Sequence, residues 1–148
     1  MPTIRTATPE DIDSLVALID GYRQFYRQPD DPEGARHFLA RRFERDDAHL
    51  LIALDESGLA IGFVQLFPVP STTSLGTRWI LNDLFVVPEA RRSGTGSALL
   101  QAARALAVEH DVPQLMLRTQ TDNMTAQSRY QALGWQRDEA FYTYLLSV

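Results

Sequence analysis

The sequence predicts an α+β fold in a single domain, residues 1–148, and three observations carry that reading. Residues 49–54, 60–69 and 77–87 form a run of apolar, β-prone segments separated by turn signals. Helix-periodic segments stand before and after that run. The last strand of the run is stopped at Pro88 and leads through a glycine turn into a helix. The expected order is β-α-α-β-β-β-α-β-α-β-β, with the consecutive strands forming an antiparallel meander.

In chain order, residues 4–7 are a short strand. Thr8-Pro9-Glu10-Asp11 then reads as a helix start, with a hydroxyl cap, proline at the first position and acids in the first turn. Ile12, Leu15, Val16, Ile19 and Tyr22 make the inward face of that helix. Residues 28–32 turn the chain into a second helix, carried inward by Ala35, Phe38, Leu39 and Phe43. Asp55-Glu56-Ser57-Gly58 is a hairpin turn. Residues 68–74, with Pro68 and Pro70, read as a loop. The helix after the glycine turn buries Leu99, Leu100, Ala103, Leu106 and Ala107 and ends at Asp111-Val112-Pro113. Residues 114–119 are a strand, and 123–133 a helix capped by Thr121 or Asp122 and closed by Gly134. Residues 135–137 and 141–147 are the final strands.

Composition bounds the function. A net charge of −5 lacks the basic footprint of a nucleic-acid binder, so no nucleic-acid partner is expected. The absence of cysteine excludes disulfides, thiolate metal sites and a cysteine nucleophile. No spacing of His, Asp and Glu suggests a metal. There is no apolar signal core and no run long enough to span a membrane. A cytoplasmic protein with no membrane partner is the expectation.

The chemistry concentrates after the third strand of the run. Arg91, Arg92, Ser93, Gly94, Thr95, Gly96 and Ser97 combine two cations with glycines at a helix start. First-turn amides have no internal acceptor, and the helix dipole adds positive potential, so a phosphate or diphosphate is the natural ligand. A P-loop needs Gly-Lys-Ser/Thr, which is absent. A dinucleotide fingerprint needs a third glycine where Leu99 stands. The remaining pattern, Arg91-Arg92-Ser93-Gly94-Thr95-Gly96 after a strand ending in Val-x-Pro-Glu, resembles the acetyl-coenzyme A loop of the Gcn5-related N-acetyltransferase (GNAT) superfamily. Thr119-x-x-x-Asn123-x-x-Ala126-x-x-x-Tyr130-x-x-x-Gly134-Trp135 resembles that superfamily's later motif.

The resemblance implies a mixed, mostly antiparallel central sheet flanked by helices, and acetyl-coenzyme A as cosubstrate. It implies that Asn123 helps hold the pantetheine arm and that Tyr130 is the general acid for the leaving thiolate. It also implies a bulge near Leu84, Phe85 and Val86 that exposes backbone to pantetheine. The segment 81–86 is similar to the corresponding strand of diamine, polyamine and D-amino-acid acetyltransferases. Asn82 stands where the diamine enzymes carry glutamate, and so marks the substrate-facing position here.

The base is open between Asp83 and a water chain; Glu89 lies just before the loop and reads as solvated, and His37, His49 and His110 have no partner spacing to recommend them. Tyr22-Arg23-Gln24-Phe25-Tyr26-Arg27 reads either as packing against the sheet or as a substrate wall formed by Tyr22 and Tyr26. The expected function is transfer of the acetyl group to the primary amine of a small molecule. A protein or peptide acceptor and a non-catalytic acyl-coenzyme A sensor are the alternatives. A homodimer, common in the superfamily, is compatible with the aromatic C-terminal strands.

Overall fold

The computed structural model describes all 148 residues. It divides into two compact units, residues 1–118 and 119–148.

The first unit holds β1 (Thr3–Thr6), α1 (Ile12–Phe25), α2 (Pro32–Arg45), β2 (His49–Leu54), β3 (Ala60–Ser71), β4 (Gly76–Val86), α3 (Thr95–Glu109) and β5 (Leu115–Met116). The strands form one sheet in the order β1-β2-β3-β4-β5. All neighbours are antiparallel except β4 and β5, so the expected mixed sheet and its meander are both present.

The α1 and α2 face of the sheet carries a core of Leu15, Val16, Ile19, Leu39, Leu50, Ile52, Phe63 and Phe85. Leu18 also turns inward, a position the periodicity had not marked. Phe38 does not: it is 43% exposed, with the Arg42 guanidinium 4.6 Å from its ring centre. The Ala35–Leu39 line faces the core at four-residue spacing, and Phe38 lies off that line. On the other face α3 buries Leu99, Leu100, Ala103 and Ala107. Gly62 in β3 allows that approach: a Cβ there would stand 3.2 Å from Leu99 Cδ1 and 2.8 Å from the Phe85 carbonyl.

Two starts are more elaborate than the sequence suggested. Residues Pro9–Asp11 form a 3-10 turn before α1. There Asp11 is buried; its carboxylate accepts both Arg5 guanidinium nitrogens at 2.8 Å and the Thr8 amide at 2.7 Å. Those bonds, the Arg5 contact first, hold the Asp11 carboxyl down at about 2. Asp31 caps α2 by accepting the Gly34 amide at 2.9 Å.

The stretch read as a loop from 68 is strand: Pro68 pairs with Trp79 and Pro70 with Thr77, leaving a turn at 72–75. β2 reaches no further along β3 than Leu66, so beyond it β3 has a free side and the prolines forfeit no ladder bond.

In the second unit α4 spans Met124–Ala132. Its cap is Asn123, whose Oδ1 accepts the Ala126 amide at 3.2 Å, one or two residues later than the caps expected. Gly134 takes the left-handed conformation (φ 94°) that closes the helix, as expected. The final strands at 135–137 and 141–147 are not formed: no residue after α4 is in a strand. A strand exists only by pairing, and neither segment is hydrogen-bonded into a ladder.

Candidate functional site

The glycine turn is built from the end of β4. A 3-10 turn, Pro88–Ala90, carries the chain away from the sheet. Arg92 and Gly94 then take positive φ, 64° and 85°, and Gly94 becomes the residue before α3. Only glycine holds that second angle without steric cost, and a Cβ there would meet open space, so the requirement is conformational. The first intrahelical bond runs from the Ala98 amide to the Gly94 carbonyl at 2.9 Å, which leaves the amides ahead of it at the open end of α3. The Ser93 and Thr95 hydroxyls pair at 2.8 Å, and Thr95 is buried. Both side chains therefore brace the turn, and an anion would be met by backbone amides and by Arg92, which forms no ion pair.

Arg91 has a different posture from a free cation. Its Nε–H donates to the Val86 carbonyl at 2.9 Å, and its guanidinium lies 5.3 Å from the Phe25 ring centre and 5.7 Å from that of Phe85. It joins the turn to an aromatic group. Tyr22 meets Tyr26, Phe63 and Phe85 edge-on at 5.1, 5.7 and 5.9 Å, and Phe25 meets Tyr26 at 5.2 Å. The packing reading of the 22–27 stretch holds for Tyr22, and residues 24–27 are exposed. Tyr26 is 43% and Phe25 55% exposed. The sequence does not mark Phe63 as part of this group; only pairing across β3 and β4 brings it beside Phe85.

The bulge sits earlier than expected. Gln65 pairs with Asp83 and Leu66 with Leu81, so Asn82 is the extra residue, while Leu84, Phe85 and Val86 pair regularly with Val64, Phe63 and Gly62. The opening nearby has another origin. β4 pairs with β5 only at Trp79 and Ile80, so Leu84, Phe85 and Val86 keep an unpaired outer edge. Asp83 is half-buried and accepts the Gln65 Nε2 at 2.7 Å and the Asn82 Nδ2 at 3.1 Å. Gln65 was missed, although it is the polar break in the apolar run Ile61-Gly62-Phe63-Val64-Gln65-Leu66-Phe67.

In the second unit Asn123 is committed to the α4 cap. Gln127 donates to the Gln120 and Thr121 carbonyls at 3.1 Å and secures the approach to the helix. The Tyr130 ring lies 6.1 Å from that of Trp135, whose amide donates to the Tyr130 carbonyl at 3.0 Å.

The profile of the Acetyltransferase (GNAT) family matches residues 15–135. The chain belongs to the GNAT family. GNAT acetyltransferases use acetyl-coenzyme A, and this chain is an acetyltransferase of that kind. An uncharacterised N-acetyltransferase of Bacillus subtilis, YhfO, is 43% identical over 145 residues, covering 98% of this chain and 97% of that protein. A solved structure described as a probable acetyltransferase has 39% identity and a TM-score of 0.92, covering 99% of this chain and 97% of the other. An aminoglycoside N(6')-acetyltransferase type 1 of Klebsiella aerogenes is 34% identical over 100 residues, 66% of this chain and 65% of that protein. No helix is long and apolar enough to cross a membrane.

Proposed function

We propose that this GNAT chain, acting as one domain over residues 1–148, acetylates a primary amine of a small molecule from acetyl-coenzyme A. The observation that carries the reading is one continuous feature of the first unit. The unpaired outer edge of β4 at Leu84, Phe85 and Val86 leads through the turn into the open amide end of α3. An extended amide-bearing arm with a diphosphate at its end needs those two elements in that order. Gly94, Thr95, Gly96 and Ser97 hold the diphosphate through backbone amides, with Arg92 adding charge and Ser93 bracing the turn. Arg91 ties the turn to the acceptor wall of Tyr22 and Tyr26.

Acetyl-coenzyme A supplies an acetyl group already activated as a thioester. The chain's own work is then positional and protonic. An outward-facing backbone amide in the stretch Leu84, Phe85 and Val86 polarises the acyl carbonyl, every second amide of a strand facing away from its ladder neighbour. Asp83 takes the proton that an ammonium must lose before it can attack, and Asn82 faces the acceptor beside it. Tyr130 returns a proton to the departing sulfur; a phenol, with a reference pKa of about 10, carries that proton at neutral pH. Asn123 belongs to the pantetheine side of the same reading. No metal takes part. The aromatic wall and the aminoglycoside-acetylating relative both favour a small amine over a protein acceptor. Cytoplasmic residence, where acetyl-coenzyme A is made and used, and a homodimer belong to the same proposal; equilibrium sedimentation checks the dimer.

The test is thiol release from acetyl-coenzyme A with a panel of polyamines, amino acids, aminoglycosides and short peptides. The chain has no cysteine, so a thiol reagent reads product alone. Turnover with one amine class is the expected result. Cofactor binding with silence across small amines overturns the small-molecule acceptor, and failure to bind acetyl-coenzyme A overturns the assignment of the turn.

A further inference from the structure

Gln65 is out of place for its surroundings. It is 3% exposed, lies in a strand otherwise filled with apolar side chains, and pairs with Leu50 on one side and Asp83 on the other. Alternation along β3 puts it on the face of Phe63, the face that α1 and α2 cover. Its Nε2 donates to Asp83 Oδ2 at 2.7 Å. Its Oε1 is buried and has no hydrogen-bond partner. Turning the amide over would not help, because only the nitrogen can donate to a carboxylate and the oxygen would then face it. A buried acceptor left without a donor keeps its full desolvation cost, and an apolar side chain of this size would avoid that cost. Stability therefore does not explain the glutamine, whereas its bond to Asp83 does.

The register makes that bond specific. The bulge gives β4 one residue more than β3 at this point, so two neighbours, Asn82 and Asp83, face the single Gln65 position. Asn82 is exposed and donates to the same carboxylate from the solvent side at 3.1 Å. The Asp83 carboxylate is thus held by one donor from the core and one from the surface. Two donors leave some of its roughly four lone-pair directions unused, and an alkylammonium fits there.

We infer that Gln65 is a positioning residue: it clamps the Asp83 carboxylate at the Asn82 bulge so that it receives the ammonium of the acceptor. The inference rests on the proposed amine-acetylating function and adds the buried residue that orients its acidic group. It predicts a binding site for primary ammonium groups that exists before acetyl-coenzyme A is bound.

The experiment is an NMR titration of the full chain with 1,4-diaminobutane, with butane-1,4-diol as the uncharged control and ionic strength held constant. The Asp83 carboxyl carbon and the Gln65 side-chain amide are the reporters. The diamine is expected to shift both saturably, and the diol neither. Gln65→Met keeps length without the donor. Gln65→Asn keeps the amide but draws it back by one methylene. Both are expected to weaken diamine binding at least tenfold, while the melting temperature of Gln65→Met stays level or rises because the unpaired oxygen is gone. A purely structural glutamine predicts the reverse: a lower melting temperature and unchanged diamine affinity. Diamine affinity unchanged in either folded variant overturns the clamp, as does a wild type that does not bind the diamine. The transferase reading fails separately, through absence of acetyl-coenzyme A binding or of thiol release.

Discussion

At the scale of single residues, conformation and proton chemistry make different demands. Gly94 has φ 85°, an angle that costs a residue with a Cβ about 1–2 kcal/mol. Gly94→Ala is expected to lose that much stability in urea denaturation and to raise the KM for acetyl-coenzyme A by about tenfold, because the amides ahead of Ala98 shift. Tyr130→Phe removes only a hydroxyl. If Tyr130 is the acid, thiol release falls by about a hundredfold with unchanged cofactor affinity; equal turnover by the phenylalanine variant would remove Tyr130 from the chemistry. The cap at Asn123 gives a third expectation. Asn123→Ala should cost about 1 kcal/mol through loss of the bond to the Ala126 amide, read as weaker hydrogen-exchange protection in the first turn of α4.

At the scale of elements, what matters is how the turn after β4 is joined to α1. Arg91 bridges them through the Val86 carbonyl and the faces of Phe25 and Phe85. Lysine has neither the Nε–H donor nor the planar group for stacking. Arg91→Lys keeps the charge, so a role limited to attracting phosphate predicts little change. The observed posture predicts that the KM for the amine rises severalfold while that for acetyl-coenzyme A moves less. Steady-state kinetics with each substrate varied in turn separates the two. The motif in the sequence placed Arg91 next to a phosphate. It could not show the stacking, because Phe25 lies 66 residues away along the chain and reaches the arginine only through the packing of α1 on the sheet.

At the scale of the whole molecule, Asp11 and His49 both make stability depend on pH. The Asp11 carboxyl, held at about 2 chiefly by Arg5, is depressed in the folded state. Its contribution is complete above the unfolded carboxyl pKa of about 4 and is lost as pH falls toward 2. Because Arg5 remains 44% exposed, the amount is about 1–2 kcal/mol. Asp11→Asn should narrow the gap in urea midpoint between pH 6 and pH 2.5. His49 is also depressed, by burial first and then by His110, with Asp46 opposing. A depressed histidine destabilises when protonated, so that loss begins as pH drops below about 6.5. His49 is stacked on Trp79 at 4.1 Å, and His110 lies 5.3 Å from the same ring, so tryptophan emission should change through this window and His49→Gln should flatten the change.

Much of this was legible along the chain because its causes are local. Pro9 and Asp31 at helix starts, Gly58 and Gly134 at positive φ, and the glycine turn before α3 are dictated by backbone sterics and by donors within a few residues. Helix periodicity likewise identified most of the buried faces of α1 and α3. Tertiary structure decided whatever depended on a partner far away in sequence. It extended β3 through Pro68 and Pro70 because β4 lay opposite and β2 had ended. It put the bulge at Asn82 rather than at Leu84 to Val86, because register is a property of two strands together. It left 141–147 outside any strand, because a strand needs a partner to pair with. It also set Gln65 against Asp83, where an unremarkable polar residue became the one that orients a carboxylate. Local sterics and periodicity can be read from one segment; pairing, burial and the aim of a side chain are decided only when two distant segments meet.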